Sequence, residues 1–191
     1  MLAYRIFVAS PGAARGKAGH PEYLPVRQGG GRWDNADAYR ITYLAADPEG
    51  AVGEVFGDLP VWTAGMFTAP YLPDGSRSLA IFEVPDTLDI LDLDDAGTLV
   101  DQKLRPTQVV IRNPAFTQAF ALSAFRQRGP AGVPRWHGIR WWSFHRPQWP
   151  LLAIWVPPGE SSPLRLVAVE PLSLDSVAVR DAATALSRPI R

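Results

Sequence analysis

The sequence predicts an α+β fold, with a mixed, mainly antiparallel β core and a few helices. Strand-like segments outnumber helical ones. The two kinds do not alternate regularly, as a doubly wound sheet would require. Nineteen prolines and sixteen glycines punctuate the 191 residues, so strands should be short and connections many. At this length, with 47% hydrophobic residues, we read residues 1–191 as one domain. Its core spans about 4–156, and C-terminal strands and a tail occupy 157–191.

Ala3 to Ala9 alternates as a strand, with Tyr4, Ile6 and Val8 on one face. Arg40 to Ala45 is a second strand, in which Ile41 and Tyr43 share a face. Asp47 then reads as an N-cap, with Pro48 at the first helical position. In the helix that follows, Ala51, Val52, Val55, Phe56 and Leu59 make one apolar stripe. Glu54 lies roughly 130° from the centre of that stripe at 100° per residue, so it faces solvent or a cleft. Leu79 to Val84 and Thr87 to Leu91 read as strands. Asn113-Pro114 opens a second helix that runs to about Arg128 and stops at Gly129-Pro130. Ile139 to Ser143, Leu151 to Val156 and Leu164 to Val169 read as later strands. The Pro- and Ser-rich stretch 156–163 reads as an exposed hairpin loop or turn.

Composition excludes several classes of function. Nineteen basic and nineteen acidic side chains give zero formal net charge, which argues against direct nucleic-acid binding. No run of ~18 apolar residues exists to span a membrane. The segment MLAYRIFVAS has no signal-peptide pattern, so a cytoplasmic protein is expected. Cysteine is absent, which removes disulfides and thiolate chemistry. His20, His137 and His145 show no ligand spacing, and no metal site is expected. Neither a GxGxxG nor a GxxxxGK[ST] pattern occurs, and Ser143 has no GxSxG elbow.

Residues 29–54, GGGRWDNADAYRITYLAADPEGAVGE, carry the densest chemistry. An arginine on a flexible glycine loop can clamp an anion through its planar fork. A glutamate on a nearby helix can offset a developing cation or activate a nucleophile. Arginine, aromatic and glutamate together point to a charged, ring-bearing ligand such as a nucleotide. Each residue also has a plainer reading. Gly29–Gly31 could be a floppy connection, Tyr43 a core residue, Glu54 a solvated helix residue and Ser143 a strand-end serine bonded to backbone.

In order and spacing this block resembles the RES domain family, named for an arginine, a glutamate and a serine. The arginine matches Arg32 in GGGRW, and the glutamate matches Glu54, eleven residues after Tyr43 of TYLA. The serine matches Ser143 in GIRWWSFHR. The likeness covers about Tyr4 to Val156. Two departures are visible. The family usually has an asparagine and a Pro-Gly turn after the arginine loop, where this chain has Asp34-Asn35-Ala36-Asp37. His145 and Arg146 stand where basic residues often follow the serine.

The resemblance implies an ADP-ribosyltransferase-like fold acting on nicotinamide adenine dinucleotide (NAD). It implies a toxin of a toxin–antitoxin pair that cleaves the nicotinamide–ribose bond by hydrolysis or phosphorolysis. Mono-ADP-ribosylation of a protein is the alternative acceptor chemistry. A non-catalytic, Trp-rich β module that binds carbohydrate or protein is the alternative from another class. On the enzymatic reading Arg32 binds pyrophosphate or incoming phosphate, and Tyr43 stacks or hydrogen-bonds at the ribose. Glu54 holds the ribose hydroxyls or offsets anomeric charge, and Ser143 orients ribose or amide. Gly31, Trp33 and Trp142 complete the expected NAD-binding set. No cofactor is required; NAD is the substrate, with inorganic phosphate as a candidate co-substrate. The implied partner is an Xre-type helix-turn-helix antitoxin that occludes the Arg32 cleft, and a homodimer within that complex is compatible with the resemblance.

Overall fold

A computed structural model of the chain describes residues 1–72 and 74–191. Among them seven strands form one sheet in the order β4-β5-β6-β2-β1-β3-β7. They are β1 (Leu2–Ala9), β2 (Arg40–Ala45), β3 (Ser76–Glu83), β4 (Ile90–Asp92), β5 (Gly138–Trp142), β6 (Pro150–Val156) and β7 (Arg165–Pro171). Every pairing is antiparallel except β4 with β5. Five α-helices join them: α1 (Pro48–Phe56), α2 (Ala96–Asp101), α3 (Pro106–Val110), α4 (Pro114–Arg126) and α5 (Val177–Ala185). The fold class is therefore the α+β arrangement that the sequence predicts.

Strand alternation divides the apolar residues between two faces. Ile41, Ala45, Leu79, Ile139, Trp141, Leu151, Ala153 and Trp155 face the helices, together with Val109 of α3 and Ala121 and Ala124 of α4. Ala3, Phe7, Leu44, Ala80, Phe82, Leu152 and Ile154 fill the opposite face, closed by Leu88 and Leu164 from loops. A third cluster joins Val52 and Phe56 of α1 to Trp149 and to Val179, Ala182 and Ala183 of α5.

Several expectations are corrected. Asp47 does precede α1 in extended conformation, but its side chain makes no capping bond. The buried side of α1 is Gly50, Ala51, Val52, Gly53 and Phe56, whereas Val55 and Leu59 are 40% and 39% exposed. The cause is Trp149. A β-carbon on Gly53 would stand 2.2 Å from its ring, so the two glycines mark the packed side and apolar periodicity cannot see them. The 156–163 segment is a crossover, not a hairpin loop, because β6 lies between β5 and β2 while β7 pairs with β3 at the far edge. Thr87–Leu91 contributes only Ile90 and Leu91 to a strand. Within the tail, residues 177–185 form a helix to which the sequence reading assigns no element. Helices α2 and α3 were not expected; at six and five residues they are too short to show a period. No described helix is long and apolar enough to cross a membrane.

Candidate active site

The site is built where α1 packs against β1 and β2 on the helix-facing side of the sheet. A cavity of about 210 Å³ opens there, lined by Tyr4, Ile6, Tyr43, Ala45, Ala51, Glu54, Val55, Trp141 and Leu151 among others. Glu54 is exposed at its rim, which follows from its position off the packed side of α1. Ser143 follows the last residue of β5 and is fully buried. Its hydroxyl donates to Glu54 Oε1 and accepts from the backbone N–H of His145 at 3.0 Å and of Arg146 at 3.3 Å. Ser143 thus holds one carboxylate oxygen, and among the described residues no hydrogen bond to Oε2 is present.

Tyr43 reaches the same cavity from β2. Its hydroxyl donates to Asp34 Oδ1 at 2.8 Å and accepts from the Trp33 N–H at 2.9 Å. Burial first, and the Asp34 charge second, push the Tyr43 pKa well above the usual phenol range. At neutral pH Tyr43 therefore neither gives up nor takes a proton.

Arg32 sits beside this cavity rather than in it. It lines a neighbouring one of about 230 Å³ with Gly30, Ile111, Arg112, Asn113, Pro114 and Thr117. Its Nη1 donates to Val109 O at 2.9 Å and Ile111 O at 2.6 Å, and its Nη2 to Val110 O at 3.3 Å. Three of five guanidinium N–H groups are thereby held at the end of α3, where carbonyls lack helical donors. Burial lowers the Arg32 pKa; the nearby Glu54 carboxylate acts to raise it, and the Arg112 charge acts with burial. The two cavities are thus electrostatically adjacent.

The glycine loop is anchored by hydrogen bonds at Gly29 and Gly31. Gly31 N–H donates to Asp34 Oδ2 at 2.6 Å, and Gln118 Nε2 from α4 donates to Gly29 O at 3.2 Å and Gly31 O at 2.9 Å. A β-carbon on Gly31 would lie 2.5 Å from the Tyr43 hydroxyl, so only glycine permits this approach. Both polar backbone groups of Gly31 are taken within the protein, and Gly30 lines the cavity instead. Trp33 is 1% exposed and packs edge-on to Trp141, with ring centres 5.5 Å apart. Trp142 lines a different cavity, with Asp94, Ala96, Leu99, Pro106 and Pro147. Alternation explains the swap, since Trp141 and Ser143 are in phase and Trp142 is not.

Three residues escaped sequence reasoning. Trp141 was legible through that alternation. Asp34 was visible as a departure from the family pattern, although no local signal gave it a partner. Arg112, whose guanidinium lies 4.4 Å from the centre of the Phe144 ring, came from a segment with no readable period. Among the described residues no cluster of histidine and carboxylate side chains could hold a metal ion.

A helix-borne carboxylate, an aromatic hydroxyl and a neighbouring arginine-lined cavity thus stand together on the mixed sheet of an α+β fold. The RES domain model matches residues 2–175, so the chain belongs to the RES domain family. Among solved structures, the M. tuberculosis MbcT–MbcA toxin–antitoxin complex contains a similar chain. The TM-score is 0.63 at 16% identity, covering 97% of this chain and 88% of that one. At that identity the likeness is one of fold. None of the curated proteins matches.

Proposed function

We propose that this protein is the toxin of a toxin–antitoxin pair and cleaves the nicotinamide–ribose bond of NAD. The carrying observation is Glu54, presented in a cavity with Tyr43 while buried Ser143 holds one of its oxygens. Cleavage of this bond passes through an oxocarbenium-like state, as glycoside cleavage does. A fixed carboxylate beside the anomeric carbon stabilises that charge without reorganising. The bonding pair leaves with the pyridinium nitrogen, giving neutral nicotinamide, so no general acid is needed. The acceptor oxygen then bonds the anomeric carbon and releases a proton. Arg32 retains two N–H donors, and with Arg112 it supplies positive charge for the pyrophosphate or an incoming phosphate.

An Xre-type helix-turn-helix antitoxin is the proposed partner. The toxin–antitoxin complex among the similar structures supports an antitoxin as partner. So does the exposed apolar surface of Val55, Ile111 and Phe144, at 40%, 42% and 55%, beside the cavities. The test is to incubate purified protein with NAD, with and without phosphate, and to separate the products. Free nicotinamide with ADP-ribose indicates water as acceptor, ADP-ribose-1-phosphate indicates phosphate, and label retained on protein indicates ADP-ribosylation. No nicotinamide release under any condition would refute the reading.

A further inference from the structure

We infer that Asp34 is a positioning residue that fixes the proton of Tyr43, so that the Tyr43 hydroxyl meets a ligand only as a hydrogen-bond acceptor. The identity of the ligand rests on the NAD-cleaving reading above; the placement of the proton does not.

Asp34 is 5% exposed and makes no ion pair among the described residues, which is a costly place for a carboxylate unless both oxygens are used. Both are. Oδ2 takes the Gly31 N–H at 2.6 Å, and Oδ1 takes the Tyr43 hydroxyl at 2.8 Å. A phenol has one proton and two lone pairs. The proton goes to Asp34, and one lone pair goes to the Trp33 N–H at 2.9 Å. What remains is a single lone pair on a residue that lines the Glu54 cavity. Any hydrogen bond formed there is one that Tyr43 accepts. The complementary ligand group is an O–H or N–H donor: a ribose hydroxyl, or the carboxamide of the pyridine ring.

Asparagine is the informative replacement because it is isosteric and has only one acceptor. If that oxygen stays on the Gly31 N–H, its amide donates to the Tyr43 oxygen. The Tyr43 proton is then turned out into the cavity, where the acceptor becomes a donor. Asp34→Asn and Tyr43→Phe should therefore each lower kcat/KM for NAD by about 10-fold, the worth of one hydrogen bond. The double variant should lose no more than ~2-fold beyond either single, because both changes remove the same acceptor. If Asp34 only braces the Gly31 loop, the two losses multiply, and the inference is overturned; full activity of Asp34→Asn overturns it as well.

Two further arms make the result decisive. The 3-acetylpyridine analogue of NAD has no amide N–H. If the carboxamide is the donor, wild type falls to the level of Tyr43→Phe on this analogue. If a ribose hydroxyl is the donor, the tenfold gap persists. Independently of turnover, NMR of protein carrying ¹³Cζ-tyrosine should show a slowly exchanging, low-field hydroxyl proton on Tyr43 that Asp34→Asn abolishes. A freely exchanging Tyr43 hydroxyl in wild type would overturn the inference even if Asp34→Asn failed to fold. Absence of nicotinamide release by wild type would remove the NAD reading and leave the NMR result to decide the proton.

Discussion

Removing the Ser143 hydroxyl should damage stability and activity by separable amounts. In Ser143→Ala, Glu54 loses a charge-assisted bond, which is typically worth about 1.5–3 kcal/mol. Glu54 is exposed and can recover water, so about 1 kcal/mol of that should survive as a stability loss. The His145 N–H, bonded at 3.0 Å, then faces a fully buried position with no acceptor, at about 1–3 kcal/mol. The Arg146 N–H, at 3.3 Å, adds less. The total is about 2–4 kcal/mol, and for a chain of this size it corresponds to a fall in Tm of roughly 5–15 °C. Because Glu54 is then free to rotate, nicotinamide release should drop 10- to 100-fold at temperatures where the variant is still folded. Urea melts and turnover at 20 °C measure the two effects separately. A melt within ~0.5 kcal/mol of wild type would show that the Ser143 bonds are not what the geometry implies.

Two other perturbations test neighbouring parts of the account. Arg32→Ala removes the cap on the α3 carbonyls and the positive charge of the second cavity, so it should destabilise by about 1–3 kcal/mol and raise KM for NAD more than it lowers kcat; a pure kcat loss would contradict a phosphate-holding role. Tyr39 and Tyr43 have pKa values raised mainly by burial, so above pH ~10 the unfolded state loses their protons first and stability falls with rising pH. Each such tyrosine contributes a slope of about 1.4 kcal/mol per pH unit, and Tyr43→Phe should make the alkaline fall shallower by that amount in urea titrations; identical slopes would show that Tyr43 is not held neutral.

The sheet was legible because β1 alternates, β2 puts Ile41 and Tyr43 on one face, and β6 is a short continuous apolar run, and because Pro48 and Asn113-Pro114 mark helix starts. The off-stripe position of Glu54 also followed from the helical period alone. What the sequence hid is tertiary. Trp149 chooses the glycine side of α1, a contact ninety-six residues away that no window records. The path of β7 to the far edge depends on its pairing with β3 rather than with β6, the strand before it, and no local window records that choice. The glycine loop looked mobile because glycine lacks a side chain, yet its backbone is held locally by Asp34 and across the fold by Gln118, whose role appears only once α4 is packed. Arg32 was placed in the Glu54 cleft by its motif, whereas its three carbonyl partners draw it to the end of α3.

The central claim is that Glu54 stabilises the cation formed when nicotinamide leaves. Glu54→Gln keeps the size and one acceptor for Ser143 while removing the charge, and an exposed rim residue contributes little to packing. The most direct measurement is nicotinamide release from saturating NAD by wild type and Glu54→Gln at matched fractions folded. The account predicts a melt within about 1 kcal/mol of wild type, the Ser143 bond becoming a neutral one, and a rate lower by about 10²–10³-fold, the usual worth of a preorganised electrostatic group. A variant that turns NAD over at near wild-type rate would contradict it.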